Sequence, residues 1–463
     1  MMQILPSSQD MSLPHSTVQA SPSNLGLRTM ETLVEDLYSF RDLFFESHPL
    51  SQAQEKAQLV QNQLDQTVDQ LNRIQAKYEA EFSGDPKLKA EALFYHGRAL
   101  NIARDHNGEA EKLLSRSVKL DPKLVKAWNE LGECHWKRGD TETARTCFEG
   151  ALNHESHKVC LRNLSITLRQ APASNLSHED RIRNVESGLS KARESVQMDT
   201  SDGLSWAVLG NAYLAHFFTI SQNPRTLKQA MSAYKQAEKD LVAKSSPDLF
   251  YNKGVALKYE EDYSGALECF DRASALDPEW ESPKDHAKAL FKWLCDLFSL
   301  IQQKGKLKTK RFNSLIESIH PKSLGPYGGG KFLPASGPSV NLEDIPFEKL
   351  TEGLNERKVI LGKVIFSLQS LDGVPFTFCL ADRSGHCIAV NLYNVSPGKG
   401  VIIGDSVAIA EPYFSKISIV REDKTISFDL VRVESPLVLV INGKKASQDF
   451  QAGIQMSTFT KSS

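Results

Sequence analysis

The sequence predicts a multidomain chain, α then β: stacked helical hairpins followed by a small antiparallel β barrel. Three observations carry that prediction. One spacing of bulky, glycine and alanine positions recurs between Trp128 and Pro278. A basic run at 304–311 then leads into a Gly/Pro/Ser-rich stretch from His320 to Val340. Beyond it the apolar positions change from a helical period to short β-rich runs.

The clearest copy of the repeat has Trp128, Leu131, Gly132, His135, Ala144, Phe148 and Ala151. The first four fall at i, i+3, i+4 and i+7, so they share one helical face, and the glycine lets a partner helix approach closely. Ala144, Phe148 and Ala151 supply the matching face. A second copy runs Phe250, Gly254, Leu257, Ala266, Phe270, Ala273, Pro278. A third opens with Trp206, Leu209, Gly210 and Tyr213 and closes with Ala230, Tyr234 and Ala237 after an inserted stretch. Leu93, Gly97, Leu100, Ala110, Leu114 and Pro122 make a degenerate fourth. One such hairpin cannot bury its own stripe, so neighbours must stack, and the pattern is that of an α-helical tetratricopeptide-repeat solenoid, which grips other polypeptides.

The elements follow in order. Residues 1–28, rich in Ser, Pro, Gln and Asn, read as a disordered tail. The solenoid occupies 29–303. It opens with helices around Leu33, Leu37, Phe40 and Phe44 and from Gln54 to Phe82. Cys160–Gln170 is a further first helix; its partner is near Arg181–Met198, after a loop around Pro172. A helix with Leu290, Phe291, Leu294, Leu297, Phe298 and Ile301 caps the array. Residues 304–345 read as a basic run and flexible linker. In 346–445, strands are expected at Val359–Leu368, Phe376–Ala381, Cys387–Tyr393, Val407–Ala410, Thr425–Val433 and Leu437–Ile441. Several short strands in about a hundred residues suggest an OB-fold that folds alone from about Val340 to Lys445. Residues 446–463 form a C-terminal tail.

Composition narrows the function. The 463 residues carry a net charge of -2, so any nucleic-acid contact must be local. Seven cysteines without a C-x-x-C pair fit a reducing compartment. No stretch is apolar for long enough to span a bilayer, so an intracellular protein without a membrane partner is expected. Gly325, Gly330 and Lys331 open a P-loop pattern, but Phe332 replaces its Ser/Thr and Pro334 obstructs the following helix. His154, His157 and Cys160 have metal-like spacing without a fourth ligand nearby. No catalytic series appears, and neither an enzyme, a metal nor a cofactor is expected.

Particular segments resemble one family: Tyr38-Ser39-Phe40-Arg41-Asp42, Ala127-Trp128-Asn129-Glu130-Leu131-Gly132-Glu133, Asn163-Leu164-Ser165 and Gln222-Asn223-Pro224 in the helices. In the strand region they are Val364-Ile365-Phe366-Ser367-Leu368, Val374-Pro375-Phe376-Thr377-Phe378 and Ile403-Gly404-Asp405-Ser406-Val407-Ala408-Ile409. From about Leu33 to Lys444 the chain resembles the Strap family, also called the tetratricopeptide repeat protein 5 family. The resemblance implies recognition of the N-terminal peptide of nascent tubulin at the ribosome, which triggers tubulin mRNA decay through a downstream adaptor. The alternative it implies is a nuclear stress-responsive transcription cofactor that scaffolds an acetyltransferase coactivator in the DNA damage response. Cytoplasm and nucleus are both expected locations.

Positions beside the repeats' packing face point into a concave groove. Arg169, Asp248, Asn129, Asn211, Tyr251 and Asn252 are therefore candidate peptide-binding residues. Asp248 can pair with a basic side chain, Arg169 with an acidic one, and the asparagines with peptide backbone. Tubulin chains begin Met-Arg-Glu, which matches that charge order; a solvated helix face is the plain reading of any one of these residues. Lys304, Lys306, Lys308, Lys310 and Arg311 are candidate ribosomal RNA contacts, with a solvated linker or a nuclear localisation signal as alternatives. In the barrel, Phe376, Phe378, Tyr393 and Phe414 could stack on bases, but alternating aromatics in strands more often fill a core.

Overall fold

The computed structural model describes residues 22–170, 177–329, 331–332, 339–370 and 373–452. They divide into two compact units, the first holding 22–44 and 56–156 and the second 45–55 and 157–452. Residues 1–21, the loop around Pro172, Gly330, Pro334 and residues 453–463 lie outside the described residues.

The first unit contains α1 (Pro22–Asp42), α2 (Lys56–Lys77), α3 (Pro86–Leu100), α4 (Gly108–Leu120), α5 (Val125–Lys137) and α6 (Thr141–His154). α1 starts inside the stretch expected to be a tail: Leu27, Met30, Val34 and Leu37 are all buried, a helical apolar stripe that a Ser/Pro-rich composition conceals. Side-chain caps fix the hairpin starts. Asn107 accepts from the backbone N–H groups of Glu109 and Ala110, and Asp140 from that of Thr143. The close approach expected at Gly132 is real, since a Cβ there would lie 2.4 Å from Phe148 Cε1.

The second unit continues with α7 (Lys158–Arg169), α8 (His178–Met198), α9 (Gly203–His216), α10 (Pro224–Ala237), α11 (Pro247–Tyr259), α12 (Tyr263–Leu276) and α13 (Glu281–Gln302). Gly210 repeats the device, with a built Cβ 2.4 Å from Tyr234 Cε1. The inserted stretch of this repeat is a π-helical turn, Phe217–Ser221, closed by Gln222 at φ 44°.

The strands are β1 (Lys358–Gln369), β2 (Phe376–Ala381), β3 (Cys387–Leu392), β4 (Ser406–Ala410), β5 (Tyr413–Arg421), β6 (Lys424–Val433) and β7 (Leu439–Ile441). They form one curled sheet in the order β7-β4-β1-β2-β3-β6-β5, with two-residue strands at both ends. Two pairings depart from an all-antiparallel barrel: β6 pairs with β3 in parallel, Leu430 opposite Ala389, and Glu343–Asp344 pairs in parallel with the start of β1. β5 was not expected from sequence. Its alternating exposed and buried residues, with Lys416 and Arg421 among them, carry only a weak apolar signal. Phe378, Tyr393 and Phe414 are buried and Phe376 half-buried, which leaves little of them for base stacking.

The stretch read as a flexible linker is ordered wherever it is described. Thr309–Glu317 forms α14 and Pro321–Tyr327 a 3-10 turn. Leu324 and Tyr327 are buried among Val359, Leu361, Ala408 and Val440, and the Tyr327 hydroxyl donates to Val438 O at 2.9 Å. Farther along the same outer face, Ile365, Phe366, Cys379, Ala389 and Leu430 pack with Leu290, Trp293, Leu294 and Leu297 of α13. A fragment beginning at Val340 loses both covers, so the segment expected to fold alone shares its core with the helices before it.

A buried polar joint fixes the sheet to the repeats. Glu261 stands at φ 68° in the turn between α11 and α12, where the equivalent turn after α5 has Gly139 at φ 88°. A carboxylate in that strained conformation needs a compensating contact, and Glu261 Oε1 accepts from Asn391 Nδ2 at 2.8 Å and from the Tyr393 hydroxyl at 3.0 Å. Asn391 Nδ2 also reaches Tyr263 Oη at 2.9 Å, and its Oδ1 accepts from Thr377 at 2.7 Å. Arg432 donates to Tyr259 O at 2.8 Å, lies 3.5 Å from Glu261 Oε1 and covers the Tyr393 ring at 4.2 Å. A buried charge that is both paired and hydrogen-bonded in this way specifies one arrangement of its neighbours.

Candidate functional site

In the second unit, Arg169 ends α7, half-buried, with its stem against α8: a Cβ at Gly188 would lie 3.0 Å from its Cγ. Its Nε donates to Ser165 O at 3.1 Å. Among the described residues no carboxylate pairs with it, and burial pulls the guanidinium down to about 10. Beside it, the buried Ser165 hydroxyl has no hydrogen-bond partner among the described residues. The Tyr234 phenol also faces Arg169, and it donates to Asn211 Oδ1 at 2.9 Å. Thus α7, α9 and α10 bring Arg169, Asn211 and Tyr234 together around a cation with no carboxylate partner among the described residues.

The acidic half sits on α11. Asp248 is exposed in its first turn, where a carboxylate also complements the helix dipole. Asn252 Nδ2 donates to Asp248 O at 2.9 Å, leaving its carbonyl oxygen as the group best placed for peptide backbone. Tyr251 contributes mainly to packing, its ring centroid 4.8 Å from that of Trp280 and 5.3 Å from that of His286.

Asn129, expected in the groove, belongs to the first unit and is 4 % exposed, with Nδ2 donating to Glu133 Oε1 at 3.1 Å. A position one place from Trp128 turns out to face a helix neighbour, because α5 is covered on both sides. What sequence reasoning missed in this unit is a polar cluster around it. Arg98 and Arg41 both stand over the Tyr38 ring, at 4.4 and 4.5 Å from its centroid. Arg98 Nε lies 3.4 Å from Glu130 Oε1, which also accepts, through Oε2, from Asn101 Nδ2 at 2.9 Å. Burial, reinforced by Glu133, raises the Glu130 carboxyl above its ordinary range. The available signal was a set of charges, Arg98, Glu130, Glu133 and Lys137, near the apolar positions of their helices.

The second unit also has a crevice of about 240 Å³ lined by Glu186, Leu189, Arg193, Tyr213, His216, Thr226 and Gln229. His216 Nδ1 is buried there without a partner among the described residues, and burial lowers its imidazole.

All five basic candidates are exposed, and no carboxylate among the described residues pairs with them. Lys304 and Lys306 belong to a 3-10 turn seated on β1: a Cβ at Gly305 would lie 2.7 Å from Ile365 O. Lys304 Nζ stands 4.4 Å from the Phe312 ring centroid. Lys308 is the N-cap of α14, with Lys310 and Arg311 in its first turn and no acid there. Cations at a helix N-terminus oppose the dipole, so folding alone does not favour them, whereas an anion would be attracted by both.

Two family models match. The tetratricopeptide repeat model covers 125–153 and 247–279, and the tetratricopeptide repeat protein 5 OB fold domain model covers 341–455. The chain is 46% identical over 433 residues to tetratricopeptide repeat protein 5 of Mus musculus, covering 93% of this chain and 96% of that protein. It is 46% identical over 427 residues to the Homo sapiens protein of that name, covering 92% and 95%. Repeats and relatives together support a protein-binding adaptor. At that identity and coverage, with the OB-fold model matched as well, the chain belongs to the tetratricopeptide repeat protein 5 family.

Proposed function

We propose that this adaptor captures the N-terminal Met-Arg-Glu peptide of nascent tubulin at the ribosome and, through a downstream adaptor, triggers decay of the tubulin mRNA. The observation that carries this reading is Arg169, a half-buried guanidinium without a carboxylate partner among the described residues. A peptide glutamate supplies the missing anion, and exposed Asp248 suits the arginine that precedes it. The basic turn and α14 supply a separate contact to ribosomal RNA phosphates, through Lys304, Lys306, Lys308, Lys310 and Arg311. This role belongs to the cytoplasm; the nuclear acetyltransferase cofactor remains the alternative.

The test is crosslinking to ribosomes carrying staged nascent tubulin chains. The parent protein should crosslink once the N-terminus clears the exit, and less as salt rises. Reversing Lys304, Lys306, Lys308, Lys310 and Arg311 should remove ribosome association while free-peptide affinity persists. Unchanged ribosome binding together with lost nuclear import would overturn the ribosomal contact and favour the nuclear scaffold.

A further inference from the structure

Seven free cysteines are present among the described residues, and two share one hairpin. Cys379 lies on β2 and Cys387 opens β3; Ala381 stands opposite Cys387 and Ala389 opposite Cys379. Side chains alternate along a strand, so residues 379, 381, 387 and 389 all point to one face, and the two cysteines are diagonal neighbours on it. The Cys379 thiol donates to Leu380 O at 3.7 Å and the Cys387 thiol to Gly385 O at 3.6 Å, and each thiol acts on the acidity of the other. Their access to solvent differs. Cys379 is fully buried against the α13 side of the sheet, whereas Cys387 is half-buried at its rim.

The surroundings favour charge on the outer sulfur. The neighbouring Cys379 thiol and the Lys304 ammonium both lower the Cys387 thiol, against burial and the Asp382 carboxylate, which raise it. Burial keeps Cys379 protonated. The turn between the strands is held by Asp382, whose Oδ1 accepts from Ser384 N at 2.9 Å, Ser384 Oγ at 2.6 Å and His386 N at 3.0 Å. The pair therefore has a half-buried sulfur at the rim and a buried thiol diagonal to it on the same face, the two parts that a peroxide-reactive dithiol requires.

We propose that Cys387 and Cys379 form a hydroperoxide-reactive dithiol, in which Cys387 is oxidised first and Cys379 resolves it to a disulfide. The Cys387 thiolate attacks one peroxide oxygen, the O–O bond breaks, and the second oxygen leaves as water after taking a proton, which gives a sulfenic acid. The Cys379 sulfur then attacks the Cys387 sulfur; the S–O bond breaks and the hydroxyl leaves as water with the Cys379 proton. In sum two thiols lose two electrons and two protons, and hydrogen peroxide becomes two waters. Joining diagonal neighbours pulls the two strands together, so the bond is of the strained kind that thiols reduce readily. The inference does not depend on the peptide groove.

The test uses the full chain treated with hydrogen peroxide, with dimedone as the sulfenic-acid trap and peptide mass spectrometry as the readout. The parent should yield a Cys379–Cys387 link, two hydrogens lighter and reversed by dithiothreitol. Cys379→Ser should instead carry the dimedone adduct on Cys387. Cys295, also half-buried, serves as the internal reference, and Cys387 should react at least tenfold faster. Lys304→Glu should shift the pH profile of Cys387 alkylation by iodoacetamide upward. Equal oxidation of Cys295 and Cys387, or a parent protein in which Cys387 oxidises while Cys379 stays fully alkylatable, would overturn the proposal.

Discussion

Replacing Arg169 by methionine isolates the interaction on which the peptide assignment depends. Methionine keeps an aliphatic stem against Gly188 and removes the guanidinium, so packing changes little. Nε already serves Ser165 O, which leaves the terminal nitrogens for a ligand carboxylate. A hydrogen bond to a charged group contributes about 1.5–3 kcal/mol, or roughly a 10- to 150-fold change in Kd. The assay is calorimetric titration of parent and variant with a peptide beginning Met-Arg-Glu and with its Met-Arg-Gln counterpart. The parent should prefer Glu over Gln by that factor, and the variant should bind both equally. Without peptide, Arg169→Met should melt no lower than the parent, because it relieves a buried charge whose penalty is present at every pH below about 10. Equal discrimination between the two peptides in parent and variant refutes the pairing; a lowered melting temperature refutes the view of Arg169 as an uncompensated cation.

Further expectations follow from the packing and the polar clusters. Gly132→Ala places a Cβ against the Phe148 ring and should cost about 1–3 kcal/mol in denaturant unfolding; a neutral effect would mean that the helices part easily. Arg432→Met leaves Glu261 buried without its cation and should destabilise the second unit by about 3–5 kcal/mol, whereas a loss under 1 kcal/mol would show the joint to be solvated. Glu130→Gln bears on pH. The folded carboxyl is raised, so the stability it contributes is fully present below the unfolded value and lost as pH rises through the folded one. The variant, which cannot ionise, should therefore gain on the parent between pH 5 and pH 8, and melting curves that keep a constant gap over that range would contradict a raised carboxyl. Asp248→Lys should weaken Met-Arg-Glu binding less than Arg169→Met does, since Asp248 is exposed; the reverse order of losses would move the anchor of the site to α11.

The repeats were legible because their signal is local. Trp128, Gly132 and Phe148 sit at helical spacings that any stacked hairpin must satisfy, and the strands Phe376–Ala381 and Thr425–Val433 are apolar enough to declare themselves. Alternation on a half-exposed edge is weaker, which is why Tyr413–Arg421 went unseen. The candidate site residues were read from the repeat register, which places a cation and an acid at groove positions. Pairing is different, because it depends on residues distant in the chain. Nothing near Arg169 in sequence says that no carboxylate among the described residues pairs with it while Arg162, one helix turn and more away, has Asp202 at 2.8 Å. Nor does sequence say that Asn129 is covered, or that a Gly/Pro-rich stretch around Pro326 is seated on the sheet through Leu324 and Tyr327. Glu261 makes the contrast plainest. By sequence it is an exposed acid in a turn, at a place where another repeat has glycine; only the tertiary fold brings Asn391, Tyr393 and Arg432 to it from more than 100 residues later in the chain, and their hydrogen bonds and ion pair offset both its burial and its strained backbone. Sequence by itself thus determined most of the repeat helices and central strands and what chemistry they carry, because periodicity and propensity are local; burial, charge compensation and the joint between repeats and sheet were decided by tertiary structure, because each is a sum over neighbours that only folding assembles.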